Sequence, residues 1–208
     1  QQSGTGAIGS YYNYLRVTPL SGAFSQLGER WTLEAELARP GTYAAKLAGS
    51  GIGVELTVAR RTAVHRYTFP EGREATLAID ISAGGLLLEA MRTVPTEAAF
   101  ELVSDRALEG RLVMEGIPLY FYLEVDQPAD AWGVWSGTNA TPDPSQKQRY
   151  LTAIVPETYE PFGAFFAYEA GPGGSVSLHP LHEVRTGKRV VVEEQDRGRS
   201  TLYGEPDT

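Results

Sequence analysis

Two runs of sequence decide the fold: Val54-Glu55-Leu56-Thr57-Val58 and, after Arg60-Arg61, Val64-His65-Arg66-Tyr67-Thr68-Phe69. Both are rich in β-branched and aromatic residues, and the first alternates apolar with polar side chains as a half-buried strand does. Turn residues flank the pair at Gly49-Ser50-Gly51 and at Pro70-Glu71-Gly72. The two runs therefore predict a β-hairpin.

Similar short runs recur along the rest of the chain, with turn residues between them. They are Tyr11–Thr18, Trp31–Leu37, Thr42–Leu47, Ala75–Ile81, Phe100–Val103, Leu108–Met114, Leu119–Val125, Ala164–Tyr168, Ser175–Leu178 and Arg189–Glu193. The run Leu119–Val125 is apolar on both alternating faces, which predicts a central strand that is covered on each side. Only Leu86–Met91 could form a helical turn or two, so we expect very little helix. Many short strands with such turns favour an all-β fold of two packed antiparallel sheets.

The chain length predicts one domain. An all-β chain of 208 residues can bury a sizeable core without dividing into two domains. We predict a single β-sandwich domain over residues 1–195 and a polar, extended C-terminal tail over residues 196–208. The longest irregular stretch is Ser136–Gln148, where Gly, Asn, Pro, Asp and Ser cluster, and a loop of that length is often functional.

Composition excludes several classes of partner and site. The net charge of -8 argues against nucleic acid, because phosphate binding needs a basic surface. No stretch reaches the roughly 18 consecutive apolar residues that span a bilayer. The chain has no cysteine, which excludes disulfides and thiolate metal sites. The chain begins at Gln1 without a charged and then apolar leader, which suits a mature product after signal removal or an excised fragment of a longer hydrolase. We expect a secreted or cell-surface location, extracellular or periplasmic.

A longer series of motifs carries a family resemblance. It runs through Glu36-Leu37-Ala38-Arg39-Pro40-Gly41-Thr42-Tyr43, Gly51-Ile52, Glu55-Leu56-Thr57 and His65-Arg66-Tyr67-Thr68-Phe69-Pro70. This series resembles the N-terminal domain of glycoside hydrolase family 92, where a Pro-Gly-Tyr-Tyr type turn, a Glu-Leu-Thr strand and an Arg-Tyr-Thr-Phe-Pro strand follow at similar spacing. Four more stretches are similar to further segments of that domain: Ser3-Gly4-Thr5-Gly6, Leu15 to Gly22, Tyr120 to Trp135 and Gly163-Ala164-Phe165.

The resemblance implies a two-sheet antiparallel β-sandwich of the galactose-mutarotase-like or supersandwich type, which in the family packs against an (α/α)6-barrel. It also implies an association with calcium-dependent, inverting exo-α-mannosidases. Family members carry the catalytic acid, the base and most calcium contacts in the barrel domain. We therefore assign no catalytic residue, metal ligand or cofactor to this chain. We expect a carbohydrate-associated domain that binds glycans, mannose-containing ones among them, or shapes their site, and that is inactive as a hydrolase without a catalytic domain.

Aromatic side chains are the first candidates for glycan contact, because a flat apolar ring face matches the C–H surface of a pyranose. Trp132 and Trp135 enter the irregular stretch, with Tyr122 nearby. The alternative is that these rings close the sandwich core, since large aromatics usually stabilise a fold by burial. Ser3 and Thr5 are further candidates, because the resemblance places their turn near the interface with the catalytic domain. The alternative is that this turn is only a flexible terminus.

Two other interpretations remain open at this point. His179 and His182 have a spacing seen in some metal sites, but Pro180 opposes a helix and no third ligand stands out, so a structural pair is favoured. The competing function is a secreted structural or adhesive subunit. Such a subunit would assemble with identical copies into a fibre or surface layer through its sheet edges and terminal segments.

Overall fold

A computed structural model of the protein describes residues 15–22, 24, 27, 31–59, 62–82, 97–114, 116–142, 148–152, 161–169 and 175–184. No α-helix occurs within these ranges. The strands are β1 (Arg16–Leu20), β2 (Leu33–Arg39), β3 (Thr42–Leu47), β4 (Gly53–Val58), β5 (Ala63–Thr68), β6 (Ala75–Asp80), β7 (Glu97–Leu102), β8 (Ala107–Met114), β9 (Ile117–Val125), β10 (Ala131–Ser136), β11 (Asn139–Thr141), β12 (Gln148–Thr152), β13 (Phe162–Tyr168) and β14 (Ser175–Val184).

The strands form two antiparallel sheets. The smaller has five strands in the order β1-β6-β13-β10-β11, and the larger has nine in the order β12-β7-β8-β9-β14-β5-β4-β3-β2. The predicted hairpin is β4 with β5, paired from Gly53 opposite Thr68 to Val58 opposite Ala63. The predicted central strand is β9, which lies between β8 and β14. The all-β, two-sheet prediction is therefore confirmed.

The sheets pack face to face around one apolar core. From the smaller sheet it contains Leu77, Ile79, Val134, Phe162, Ala164 and Phe166, and from the larger Leu47, Tyr67, Ala98, Phe100, Leu102, Leu108, Leu112, Leu119, Phe121, Leu123 and Val125. The stacked rings of Phe100 on β7 and Phe162 on β13 join the sheets, with centroids 6.4 Å apart and an interplanar angle of 30°. Side chains alternate along each strand, so the positions between these residues point away from the core. We call the two core-lining surfaces the inner faces and the opposite surfaces the outer faces.

The outer face of the smaller sheet is also buried. Every residue of β6 is buried, although Thr76, Ala78 and Asp80 alternate with core residues and point outward. Phe165 on β13 is 3% exposed, and the ring of Phe24 lies edge-on against it at 5.3 Å. A strand with both faces covered needs apolar or fully paired side chains throughout, which explains the near-continuous apolar sequence of β6.

The larger sheet is much less covered at the end formed by β2, β3 and β4. All seven residues of β2 are exposed. Leu33, Leu37 and Val58 are 44%, 49% and 65% exposed, whereas the side chains of β7, β8 and β9 that line the core are buried. The larger sheet thus presents its end strands to solvent.

The stretch Ser136–Gln148 was expected to be irregular, and it is partly strand. Asn139–Thr141 forms β11, which pairs with the end of β10, and Gln148 begins β12, which pairs with β7. The possible helical turn at Leu86–Met91, the strand predicted at Arg189–Glu193 and the predicted tail 196–208 lie outside the described residues.

Gly163 permits the close contact between β13 and its neighbours. A Cβ at this position would lie 1.8 Å from the carbonyl oxygen of Ile79 and 3.1 Å from Nε1 of Trp135. Gly53 on β4 makes a matched comparison, because a Cβ there would meet only atoms of Thr68, the nearest of them at an ordinary 3.5 Å.

We predict that Gly163→Ala lowers the free energy of unfolding by at least about 3 kcal/mol, because backbone must move to admit the methyl group. Gly53→Ala should change it by less than about 1 kcal/mol. Urea unfolding followed by circular dichroism measures both. Equal stability of the two variants would contradict the packing described for Gly163.

Candidate functional site

Trp135 is a core residue. It projects from the outer face of the smaller sheet, is 1% exposed, and its ring centroid lies 6.2 Å from that of Phe24. Its indole N–H donates to the carbonyl oxygens of Ala164 at 3.0 Å and Ile79 at 3.3 Å. Because the indole is buried, neither of its faces is available to a sugar. Trp135 therefore has the core role that was the alternative to glycan contact.

Trp132 lies on the opposite side of the same strand. Three positions separate it from Trp135, and an odd separation along a strand puts two side chains on opposite faces. Trp132 pairs with Phe166 across the β10–β13 ladder and packs, partly buried, against the main core. It retains some exposure but shares no surface with Trp135.

Tyr122 belongs to the other sheet. It is half-buried on the outer face of β9, opposite Glu109 of β8, while its neighbours Phe121 and Leu123 enter the core. The larger sheet therefore separates Tyr122 from the two tryptophans, and the three rings do not form one binding surface. Ser3 and Thr5 lie outside the described residues.

The ring of His65 lies on the inner face of β5, at the edge of the core. It is half-buried, and its Nδ1 lies 2.9 Å from the hydroxyl of Tyr67. His179 and His182 pair through their backbone with Glu124 and Phe121 of β9. Within the described ranges, no group of three or more His, Cys, Asp or Glu side chains could hold a metal ion. No helix in those ranges is long and apolar enough to cross a membrane.

Asp80 is a buried carboxylate that forms an ion pair with the half-exposed guanidinium of Arg16, and no sequence pattern predicted this contact. It is 1% exposed at the outward end of β6, and its Oδ2 accepts a hydrogen bond from the guanidinium of Arg16 at 2.6 Å. Its Oδ1 accepts from the backbone N–H of Ser82 at 3.0 Å and from that residue's hydroxyl at 2.7 Å. The Ser82 hydroxyl oxygen accepts in turn from the backbone N–H of Phe162 at 3.1 Å. The network connects β1, β6 and β13.

A shallow depression of about 330 Å³ lies on the outer face of the larger sheet, over β2 to β5. Two neighbouring rows of paired residues build it. One row runs Arg39, Thr42, Thr57, Val64, and the other runs Leu37, Ala44, Glu55, Arg66. Residues paired across antiparallel strands point to the same face, so all eight side chains surround one dip.

The electrostatics of this depression are uneven. Nη1 of Arg66 lies 3.5 Å from Oε2 of Glu55, and both side chains are 58% exposed. The guanidinium of Arg39 makes no ion pair or hydrogen bond with any described residue. The Thr57 hydroxyl donates to the carbonyl oxygen of Gly41 at 2.8 Å, so its oxygen still has lone pairs to accept a hydrogen bond. Sequence reasoning missed this site, because its members are spread over four strands.

Buried tyrosines give the fold a pH limit. Burial raises the pKa of Tyr67 well above the usual 10.0. Burial, with the negative charge of Asp126 as the next cause, raises that of Tyr168 as well. Both phenols stay neutral in the folded chain at a pH where the unfolded chain ionises.

The fold class is thus a two-sheet antiparallel β-sandwich, and comparisons define it further. The model of the glycosyl hydrolase family 92 N-terminal domain matches residues 1–179, and the chain belongs to this family. No curated protein matches the chain in sequence.

Solved structures of the same family share the fold. A family 92 α-mannosidase from Bacteroides thetaiotaomicron, in complex with mannoimidazole, is 16% identical with a TM-score of 0.64, over 83% of this chain and 23% of that one. An inverting mannosidase of the family from Bacteroides thetaiotaomicron VPI-5482 is 16% identical with a TM-score of 0.57, over 81% and 21%. A further family 92 hydrolase is 20% identical with a TM-score of 0.61, over 81% and 23%. The chain spans less than a quarter of the length of these relatives.

We predict that Asp80→Ala lowers the free energy of unfolding by about 2 kcal/mol, because the buried N–H and hydroxyl of Ser82 lose their acceptor and the half-exposed Arg16 loses its ion pair. Glu71→Ala, at an exposed turn position, should change it by less than about 0.5 kcal/mol. Urea unfolding of both variants at neutral pH measures the difference. A loss for Asp80→Ala no larger than that for Glu71→Ala would contradict the role of the network.

We also predict alkaline destabilisation. A phenol whose folded pKa is raised contributes stability that is fully present below the unfolded pKa, about 10, and lost as the pH rises above it. By pH 11 the total loss reaches about 1.4 kcal/mol for each such tyrosine, of which about 1 kcal/mol falls between pH 10 and pH 11. Urea unfolding across this range should show a smaller loss for Tyr67→Phe than for the wild type. Identical pH dependence would exclude Tyr67 as a cause.

Proposed function

We propose that the chain is the carbohydrate-associated sandwich domain of a family 92 exo-α-mannosidase, which binds or shapes the glycan site and is not catalytic alone. The match of the family's N-terminal domain to residues 1–179 carries the proposal. It is further supported by the length relation, because the α-mannosidase that binds mannoimidazole has most of its chain outside the matched part.

Mannose-containing glycans are the proposed ligand class, and a catalytic domain is the proposed partner. Trp132 keeps a partly exposed indole at the sandwich and is the preferred aromatic contact, with Ser3 and Thr5 as further contacts on the family resemblance. Tyr122 would contact a different part of a glycan, because it lies on the outer face of the larger sheet.

The proposal includes a location outside the cytoplasm, either secreted or at the cell surface. Fractionation of cells of the native host tests this location.

In this proposal, calcium belongs to the whole enzyme and is bound outside the described residues of this chain. The described residues do not fit a calcium site, because no three of their acidic or histidine side chains cluster, and Ca²⁺ takes six to eight oxygen ligands. The proposal therefore gives the ion no ligand among these residues and derives no catalytic step from them.

The exposed edge of the larger sheet argues against the alternative of a self-assembling subunit. The edge strand β2 has a bulge between Glu34 and Leu37, and Ala35 there adopts a positive φ of 50°. Charged Glu36 and Arg39 lie on the same strand. Bulges and charges are devices that prevent another strand from pairing with an edge. Sedimentation should show a monomer at micromolar concentration.

We predict that the chain alone does not hydrolyse an aryl α-mannoside in the presence of calcium, because no catalytic pair is assigned to it. Joined to a family 92 catalytic domain it should support inverting hydrolysis, which proton NMR of the released sugar detects. Hydrolysis by the chain alone would reject the proposed division of roles. Equal activity of the catalytic domain with and without the chain would reject the site-shaping role.

For the binding role, titration with mannose-containing glycans should change the tryptophan fluorescence of the joined protein. Trp132→Ala should weaken the glycan affinity by about tenfold, the loss of one stacked ring. Trp132→Phe, which keeps an aromatic face, is the matched control. An unchanged affinity in Trp132→Ala would remove this residue from the site.

A further inference from the structure

We propose that the depression on the outer face of β2 to β5 binds a single acidic sugar unit, that is, a sugar ring carrying one carboxylate or phosphate group. The site is separate from the inner-face position of Trp132, since it lies on the solvent side of the other sheet. The sugar class rests on the function proposed above. The requirement for negative charge rests on the arginines of the depression.

The shape of the depression follows from one short side chain among longer ones. Ala44 lies near the middle of its row, between Leu37 on β2 and Glu55 on β4. Strands lie about 4.8 Å apart, so the two rows from β2 to β5 span about 14 Å. The volume of about 330 Å³ is at the lower end of small-molecule sites, which start near 300 Å³. This size favours one sugar unit over an oligosaccharide.

The charge of the depression selects an anion. Two guanidinium groups, Arg39 and Arg66, surround a single carboxylate, Glu55, although the whole chain has a net charge of -8. Glu55 already lies beside Arg66, which leaves Arg39 as the cation without a partner among the described residues. A planar guanidinium binds a carboxylate or a phosphate through two parallel hydrogen bonds.

The remaining lining suits a ring with hydroxyl groups. Ala44 at the floor and Leu37 at the side, 49% exposed, supply apolar surface for C–H groups. Thr42 pairs with Arg39 and Thr57 pairs with Thr42 in the same row, and their hydroxyl oxygens can accept hydrogen bonds from a sugar. A bare anion would leave this floor and these hydroxyls unused, and a neutral sugar would leave Arg39 without a partner.

Amide NMR of the isotope-labelled chain tests the proposal with four probes. They are glucuronate, mannose 6-phosphate, neutral mannose and acetate. The two acidic sugars should shift the amides of β2 to β5 and bind at least about tenfold more tightly than mannose or acetate, as one charge-assisted contact allows. Added salt should weaken their binding, because the depression is open to solvent. Glucuronate and mannose 6-phosphate, compared directly, distinguish the carboxylate from the phosphate.

Two variants change the site in independent ways, and one matched variant does not. Arg39→Gln should lower the affinity for acidic sugars by about tenfold, and Ala44→Leu should block the site by filling the dip. Arg73→Gln removes an equivalent charge from an exposed turn and should leave binding unchanged. Amide spectra of each variant show whether its fold is retained.

Several results would overturn the proposal. Equal affinity for acetate would mean a simple anion site, and equal affinity for mannose would mean that charge has no role. Shifts confined to other strands, no binding of either acidic sugar, or unchanged binding in Arg39→Gln and Ala44→Leu would each reject it. These readouts measure binding to this chain, so they can fail while the proposed role in mannoside hydrolysis holds, and hydrolysis can fail while binding is observed.

Discussion

The contact between the two sheets is the constraint on which the rest of the structure depends. Phe100 and Phe162 stack across it, and Phe121 has room only because residue 110 is glycine, where a Cβ would lie 2.3 Å from its ring. Burying side chains of this size contributes about 1.5–3 kcal/mol each. Once Phe100 and Phe162 face each other, the alternation of side chains along each strand decides which residues point into the core and which point away from it.

That direction decides what is available for function. In β10 it turns Trp132 toward the main core and Trp135 into the outer apolar layer, where its N–H has two carbonyl partners. In β9 it turns Tyr122 to the outer face of the other sheet. In β2 to β5 it turns the two arginines of the depression to the same solvent side. The candidate binding surfaces among the described residues therefore lie on strand faces.

Charged side chains have different environments in the two sheets. Asp80 is buried, and its carboxylate is held by Arg16 and Ser82, so its charge serves to connect strands. Arg39 is exposed at the sheet end and has no described partner. The solved family 92 structures have longer chains, of which this one spans less than a quarter. In the functions proposed above, the network around Asp80 stabilises the sandwich and the exposed face around Arg39 binds a ligand.

Sequence by itself determined most of the strands, the β4–β5 hairpin, the all-β class and the family resemblance, because all of these depend on residues close in the chain. It did not predict β10, β11 or β12. The run Thr42–Leu47 was even bounded as the structure has it. The three-residue separation of Trp132 and Trp135 already implied opposite faces, given a strand through both. Only the tertiary structure decided which ring is buried, that Asp80 meets Arg16 from 64 residues away, and that Arg39 and Arg66 share one depression. These depend on the order in which strands pair, and strand order is set by long-range packing that no local pattern specifies.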